Sequence, residues 1–329
     1  MNNRKNMLFS ALIFLLLGAV LVFATVRTVH MNRWEYGHVN TDNVDGKMIG
    51  INIVEPQDVN RLELMPDIVS WFENWYSDSG IVKLELCGRN RAAVPLITWQ
   101  PVDVPFEEIV NGDHDEYLRD FFRRVADSCP DLPVLIRFAH EMEMSPNYGK
   151  PWYQWQGIDS ELYIRAWRHI VSMSDEICPQ IRWIWSPNIM SEYARPYYPG
   201  EDYVDYVGIT VNLPASTSLK YNDFGEFFLQ SCKGNALGEF KKPVIISETG
   251  FHSNKGDHED SINFILSVFK YIRHDPNLKA VVFLDTDDER EGRQYRFTDN
   301  EACVKVFCEE IRKLREDQLL LEGDSNEEE

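Results

Sequence analysis

Two glutamates, Glu141 and Glu248, each stand where a short apolar, β-prone run gives way to a loop: Val134 to Ala139 in one case, Val244 to Ser247 in the other. Two carboxylates facing each other across a pocket are the equipment for glycoside hydrolysis. One gives a proton to the leaving oxygen, and in a retaining enzyme the other attacks the anomeric carbon. Neighbouring residues suit that division. His140, beside Glu141, offers a hydrogen bond, and Arg137 on the same run offers a fixed positive charge that would keep the second carboxylate ionised. Each residue also has a structural reading. A Glu at a strand end can be a surface residue or a helix cap, Arg137 a buried ion-pair partner, and His140 a satisfied core histidine.

Other chemistries find less support. His140-Glu141 begins like a zinc protease motif, but Met144 occupies the position of the second ligand, so the pattern fails. The chain lacks a G-x-S-x-G nucleophile elbow, a phosphate-binding glycine loop and a C-x-x-C pair. No cofactor is called for. With 33 Lys and Arg against 53 Asp and Glu, the formal charge is −20, which argues against nucleic acid as a partner because phosphate binding needs clustered bases.

The elements that must position these residues follow from an alternation of short β-rich runs with longer amphipathic ones, repeated about eight times. The strand candidates are Met48 to Val54, Ile68 to Trp75, Val94 to Trp99, Val134 to Ala139, Ile181 to Trp185, Tyr203 to Val211, Val244 to Ser247 and Ala280 to Leu284. Ile81 to Leu86 is equally strand-like, but it lies too close to Val94 for a parallel crossover of about a dozen residues. Ser77 to Arg91 is therefore read as a helix. Helix starts are signalled at Asp113 with Glu116, at Asp159, and at Thr298 with Glu301. Eight βα units without a composition break predict an α/β protein, a single (β/α)8 TIM barrel over residues 47–315. In that fold functional groups cluster where strands end. Those ends carry Trp99, His140-Glu141, Trp185-Ser186-Pro187-Asn188, Thr210-Val211-Asn212, Glu248 and Asp285. Trp183 and Trp185 alternate along one strand, so one of them is expected to face the helices. Residues 316–329, with seven acids and no base, are expected to form a frayed tail. Among the six cysteines, buried free thiols are the expectation for several.

Four segments in order then resemble glycoside hydrolase family 26. They are Arg137-Phe138-Ala139-His140-Glu141-Met142, Trp185-Ser186-Pro187-Asn188, the run Tyr197 to Gly208, and Lys242 to Gly250, with Pro95 to Trp99 ahead of them. The family consists mainly of endo-β-1,4-mannanases, with some β-1,3-xylanases and mixed-linkage glucanases. The resemblance implies a retaining barrel glycosidase with Glu141 as acid/base and Glu248 as nucleophile. It also implies His140 as a neighbour of the sugar, and Trp152 or Trp155 with Trp185 as aromatic platforms. Trp99, Arg137, Asn188 and Asn212 complete the substrate-binding candidates. The strand-six end reads Thr210-Val211-Asn212 where the family usually has Asp-Gly-Tyr, and Glu143 stands where Asn is usual. The expected substrate is therefore a β-linked polysaccharide, mannan-like or an exopolysaccharide. The alternative is an inactive barrel that holds glycan within a polysaccharide synthesis or export complex.

Residues 7 to 26 form a charge-free apolar run, long enough as a helix to cross a bilayer, with Arg4 and Lys5 ahead of it. We read residues 1–33 as a cytoplasmic tip and signal anchor and 34–46 as a spacer. The barrel is then expected in the periplasm or outside the cell, tethered to the membrane; cleavage after Ala24 would release it instead. Mass spectrometry of the natively expressed protein separates these outcomes. An intact N-terminus in the membrane fraction is expected, and a soluble chain beginning at Thr25 would defeat the tether.

Overall fold

The computed structural model describes residues 47–325, apart from 78, 91–92, 131, 145–151, 189–191, 214–223, 232–239, 253–257 and 289–291. The expected anchor and spacer lie outside the described residues. Among those described, no helix is long and apolar enough to cross a membrane.

Eight parallel strands close in sequence order into a barrel: β1 (Met48–Asn52), β2 (Ile68–Asn74), β3 (Val94–Gln100), β4 (Val134–Phe138), β5 (Ile181–Trp185), β6 (Tyr206–Leu213), β7 (Val244–Phe251) and β8 (Leu278–Phe283). The (β/α)8-type barrel read from the sequence is thus the observed fold. The outer layer is less regular than expected. Among the described residues seven α-helices surround the strands: α1 (Ser79–Asn90), α2 (Phe106–Asn111), α3 (Asp115–Ser128), α4 (Ser160–Ile177), α5 (Phe224–Ser231), α6 (His258–His274) and α7 (Glu301–Ser325). After β1 the connection carries only a 3-10 helix, Pro56–Arg61, and after β5 two short ones, Arg195–Tyr197 and Glu201–Tyr203. The last of these replaces the expected start of β6, because Glu201 to Tyr203 turns back to Gly200 before the strand begins.

Two helix starts and the chain end also differ from expectation. Asp159 caps α4 as expected, its carboxylate accepting from the Leu162 N–H at 2.8 Å. At α7 the cap is Asn300, which accepts from the Cys303 N–H at 3.0 Å, while Thr298 is taken by Asp285. At α3 the N-cap position is His114, with no side-chain capping bond. Helix α7 runs to Ser325, well past residue 315. Arg315 bonds Asp67 at 2.6 Å, Asp317 pairs with Arg273 at 3.3 Å and Gln318 meets Lys47, so the first residues of the expected tail are fastened to the barrel. Five cysteines, Cys87, Cys129, Cys178, Cys303 and Cys308, are buried free thiols.

The alternation of the strands sorts the core. Outward residues pack with the helices in one large cluster, while Ile68, Leu96, Leu135, Ile184, Ile245 and Val282 fill the barrel's lower interior. One residue pair further up, the interior turns polar: Ser70, Thr98, Arg137, Ser186, Thr210 and Ser247 are all buried. The barrel is thus a greasy plug carrying a hydrogen-bonded layer, with the mouth above it. Gly208 lets β5 and β6 close at this boundary. A Cβ there would lie 2.6 Å from Ile184 Cγ2 and 2.8 Å from Ser186 Cβ. Gly208→Ala should therefore destabilise by about 1–3 kcal/mol through overpacking, read as a lower urea midpoint at unchanged slope.

Candidate active site

Arg137 enters the mouth from β4 and is fully buried. A guanidinium in that position needs partners on each edge, and it has them. Its Nε donates to Ser186 Oγ at 2.9 Å, Nη1 to Glu248 Oε2 at 2.8 Å and Nη2 to Thr210 Oγ1 at 2.6 Å. Ser186 in turn lies 2.8 Å from Ser247 Oγ, which donates to the Ile209 carbonyl. Strands β5, β6 and β7 are therefore tied to one cation.

The end of β4 and strand β7 both depart from regular strand geometry where their glutamates enter the cavity. Beyond β4, Ala139 and Glu141 take left-handed backbone conformations, φ 41° and 57°. Neither residue adopts these without cost. They are held by the Glu141 N–H bond to the Ser186 carbonyl at 2.9 Å and by Trp155 Nε1, which donates to the His140 carbonyl at 2.7 Å. Glu248 lies inside β7 and not beyond it. The β6–β7 register pairs Ile209 with Ile246 but Thr210 with Glu248, so Ser247 is an extra, bulged residue. Strict alternation would send Glu248 toward the helices; the bulge turns it into the mouth.

One donor atom from each of His140, Glu141 and Glu248 lies within 4.8 Å of the others. Such a trio resembles a metal-binding set in composition, but the Arg137 salt bridge already supplies the positive charge at Glu248. Each carboxylate also receives an amide: Asn188 Nδ2 donates to Glu141 Oε1 at 3.0 Å, and Asn212 Nδ2 to Glu248 Oε1 at 2.9 Å. Burial, and then the like charge of Glu248, raise the Glu141 pKa; Arg137 and the bonds from Asn188 and Thr210 oppose this without cancelling it. His140 is buried, and desolvation assisted by Arg137 holds its pKa well below the usual imidazole value. It is a neutral neighbour of the pair.

A cavity of about 1040 Å³ surrounds these groups. Of the candidates from sequence, His140, Glu141, Glu248, Asn188, Asn212, Trp152 and Trp155 line it, and Arg137 lies beneath. Trp99 and Trp185 do not line it. Trp99 points outward, stacked between Trp75 at 4.4 Å and Phe121 at 4.3 Å; Trp185 packs on Tyr198 and Phe240. Trp183 and Trp185, two residues apart, share one face and both turn to the helix layer, because a strand's side chains repeat every second residue. Sequence reasoning missed Phe72, Tyr153 and Tyr295, and named Thr210 at a strand end without giving it a role in the site. Thr210 had a signal, since it precedes Asn212 by two positions on the inward face.

Residues 102–269 match the family model described as glycosyl hydrolase family 26. Endoglucanase H of Acetivibrio thermocellus is 26% identical over 264 residues, 74% of this chain and 27% of that protein. Mannan endo-1,4-beta-mannosidase of Bacillus subtilis is 24% identical over 188 residues, 52% of this chain and 45% of that protein. The aligned stretches thus span less than half the length of either relative. Among solved structures, a family 26 β-mannanase from Bacteroides ovatus superposes with a TM-score of 0.59 at 19% identity, covering 82% of this chain and 90% of that one. A modular endo-β-1,4-mannanase from Cellulomonas fimi gives 0.57 at 13%, covering 81% and 70%.

Glu248→Gln removes a negative charge without changing shape, and that charge favours the neutral form of Glu141. The Glu141 titration midpoint should therefore fall, yet stay above the ordinary carboxylate value because burial is the larger cause. Carboxyl 13C NMR checks this. An unmoved midpoint would mean that the two groups do not sense each other.

Proposed function

Because the chain belongs to glycosyl hydrolase family 26, we propose that it hydrolyses a β-linked polysaccharide with retention of configuration, Glu141 acting as acid and base and Glu248 as nucleophile. The observation that carries this reading is the pair itself: two carboxylates with oxygens within 4.8 Å of each other, only one of them salt-bridged to Arg137. That separation suits the narrow spacing of about 5–5.5 Å used by retaining enzymes, not the 6.5–9.5 Å that leaves room for a water.

In the first step a Glu248 oxygen bonds the anomeric carbon while Glu141 passes its proton to the departing oxygen, breaking the glycosidic bond. The resulting ester neutralises Glu248. Loss of that charge lowers the Glu141 pKa, since Glu248 is one of the causes that raise it. Glu141 is then a carboxylate, suited to take a proton from the water that attacks the ester. The bond between carbon and Glu248 breaks, and the second product leaves with its original configuration. Asn188 and Asn212 hold the carboxylates in place, and Trp152 and Tyr153 offer faces for sugar rings, with the buried Trp155 stacked against Tyr153 at 4.5 Å.

The names of the relatives divide between glucan and mannan, so we propose the substrate as a β-linked glucan- or mannan-like chain, with an exopolysaccharide as a further candidate. We also propose that the N-terminal apolar run tethers the barrel outside the cytoplasm, where it meets glycan during synthesis or export.

Incubation with β-mannan, β-glucan, β-xylan and exopolysaccharide should release reducing ends from at least one. Glu248→Ala should lower the rate on the order of 10³-fold or more, and NMR of the first-formed product should show the retained anomer. Binding without hydrolysis across the panel would favour a glycan-holding barrel instead.

A further inference from the structure

The hydrolase reading leaves unexplained a contact above the catalytic pair. Beyond β8 the chain forms a small hairpin, β9 (Asp287–Asp288) with β10 (Arg293–Gln294). The Arg293 guanidinium lies 5.0 Å from the centre of the Trp152 ring, which belongs to the loop after β4. In a ring closed in sequence order, β4 and β8 are four strands apart and diametrically opposed. Both side chains line the cavity that holds Glu141 and Glu248. We propose that Arg293 and Trp152 form a strap across the barrel mouth, closing over bound glycan and selecting chains that carry no side branch on the sugars beneath it. This proposal rests on the hydrolase reading.

Each half of the strap is built on its own anchor. On the β4 side, Gln156 Oε1 accepts from the Trp152 N–H at 2.8 Å. Gln154 and Asp103 exchange two bonds, at 2.8 and 2.9 Å. On the β8 side, Asp287 Oδ1 accepts from the Tyr295 and Arg296 N–H groups at 3.1 Å, and His252 Nδ1 accepts from the Gln294 N–H at 2.9 Å. Anchored bases joined through a weak cation–π contact describe a clasp that opens for a polymer to enter from the side. A bare chain allows it to shut again, with the guanidinium and indole above the sugar. A branch on the covered sugar props it open and loses the contact.

The contact's ordinary strength sets the size of the effect at about two- to fivefold in affinity. Calorimetry on the Glu248→Gln protein, which holds substrate without consuming it, gives a direct reading with two probes of equal backbone length: a linear β-1,4-manno-oligosaccharide and its galactose-branched counterpart. The linear probe should bind more tightly. Arg293→Ala should weaken the linear probe by about two- to fivefold and leave the branched one unchanged, so the ratio contracts, and Arg293→Lys should restore part of it. An unchanged ratio, with both probes still bound, would overturn the strap and leave the hydrolase reading standing. Failure of the parent protein to bind or hydrolyse either probe or its glucan equivalents would remove the hydrolase reading, and the strap with it.

Discussion

A guanidinium with no solvent exposure sits at the centre of this barrel, and most of the site can be understood as the answer to it. Taking such a charge out of water costs several kcal/mol unless it is paired and hydrogen-bonded. Arg137 meets that demand through three different strands, each supplying one group: Ser186, Thr210 and Glu248. The hydroxyls cannot be exchanged for aliphatic side chains without leaving donors unsatisfied. This accounts for the abrupt change from Ile184 and Ile245 in the lower interior to Ser186 and Ser247 just above. The polar layer belongs to the cation, and the mouth is built on it.

A regular strand cannot present the whole set. Alternation carries Glu141, four residues after Arg137, to the inward face but would turn His140 away, and the same count along β7 would place Glu248 against the helices. Two irregularities resolve this: left-handed residues at Ala139 and Glu141, and the bulge at Ser247. Each left-handed residue costs on the order of 1–3 kcal/mol. They survive because neighbouring strands fix them, notably through the Glu141 N–H bond to Ser186 and the Trp155 bond to the His140 carbonyl. Structural stability is here exchanged for the placement of two side chains.

These irregularities also mark how far the sequence could be read. Apolar runs separated by helical stretches give eight strands and a barrel because period and length are local properties. They locate Glu141 and Glu248 near strand ends for the same reason. Which face a side chain takes is legible only while alternation holds. Trp99 and Trp185 stand at strand ends among the substrate-binding candidates, yet both follow the alternation outward and pack against other aromatic rings. Glu248 breaks the alternation, and nothing in Ser247-Glu248-Thr249 announces a bulge. Thr210 and Ser186 could not be weighted from sequence, because their importance comes from the charge they serve on another strand.

The same cation separates two carboxylates that are otherwise treated alike. Each accepts an Asn amide at nearly equal length, 3.0 Å for Glu141 and 2.9 Å for Glu248, so the amides cannot assign different roles. His140 is held neutral by burial and by Arg137, and contributes no charge. The buried set thus contains one fixed positive charge and two groups able to be negative. It is electrically balanced only when the carboxylates carry one proton between them. Arg137 hydrogen-bonds Glu248 directly, whereas it acts on Glu141 through its charge and through the Thr210 hydroxyl, which accepts from the guanidinium and donates to Glu141. Of the two, Glu141 is the one pushed toward the protonated form, by burial first and then by the charge of Glu248. A geometry that begins as the solvation of one buried arginine thereby places two otherwise alike carboxylates in unequal electrostatic surroundings.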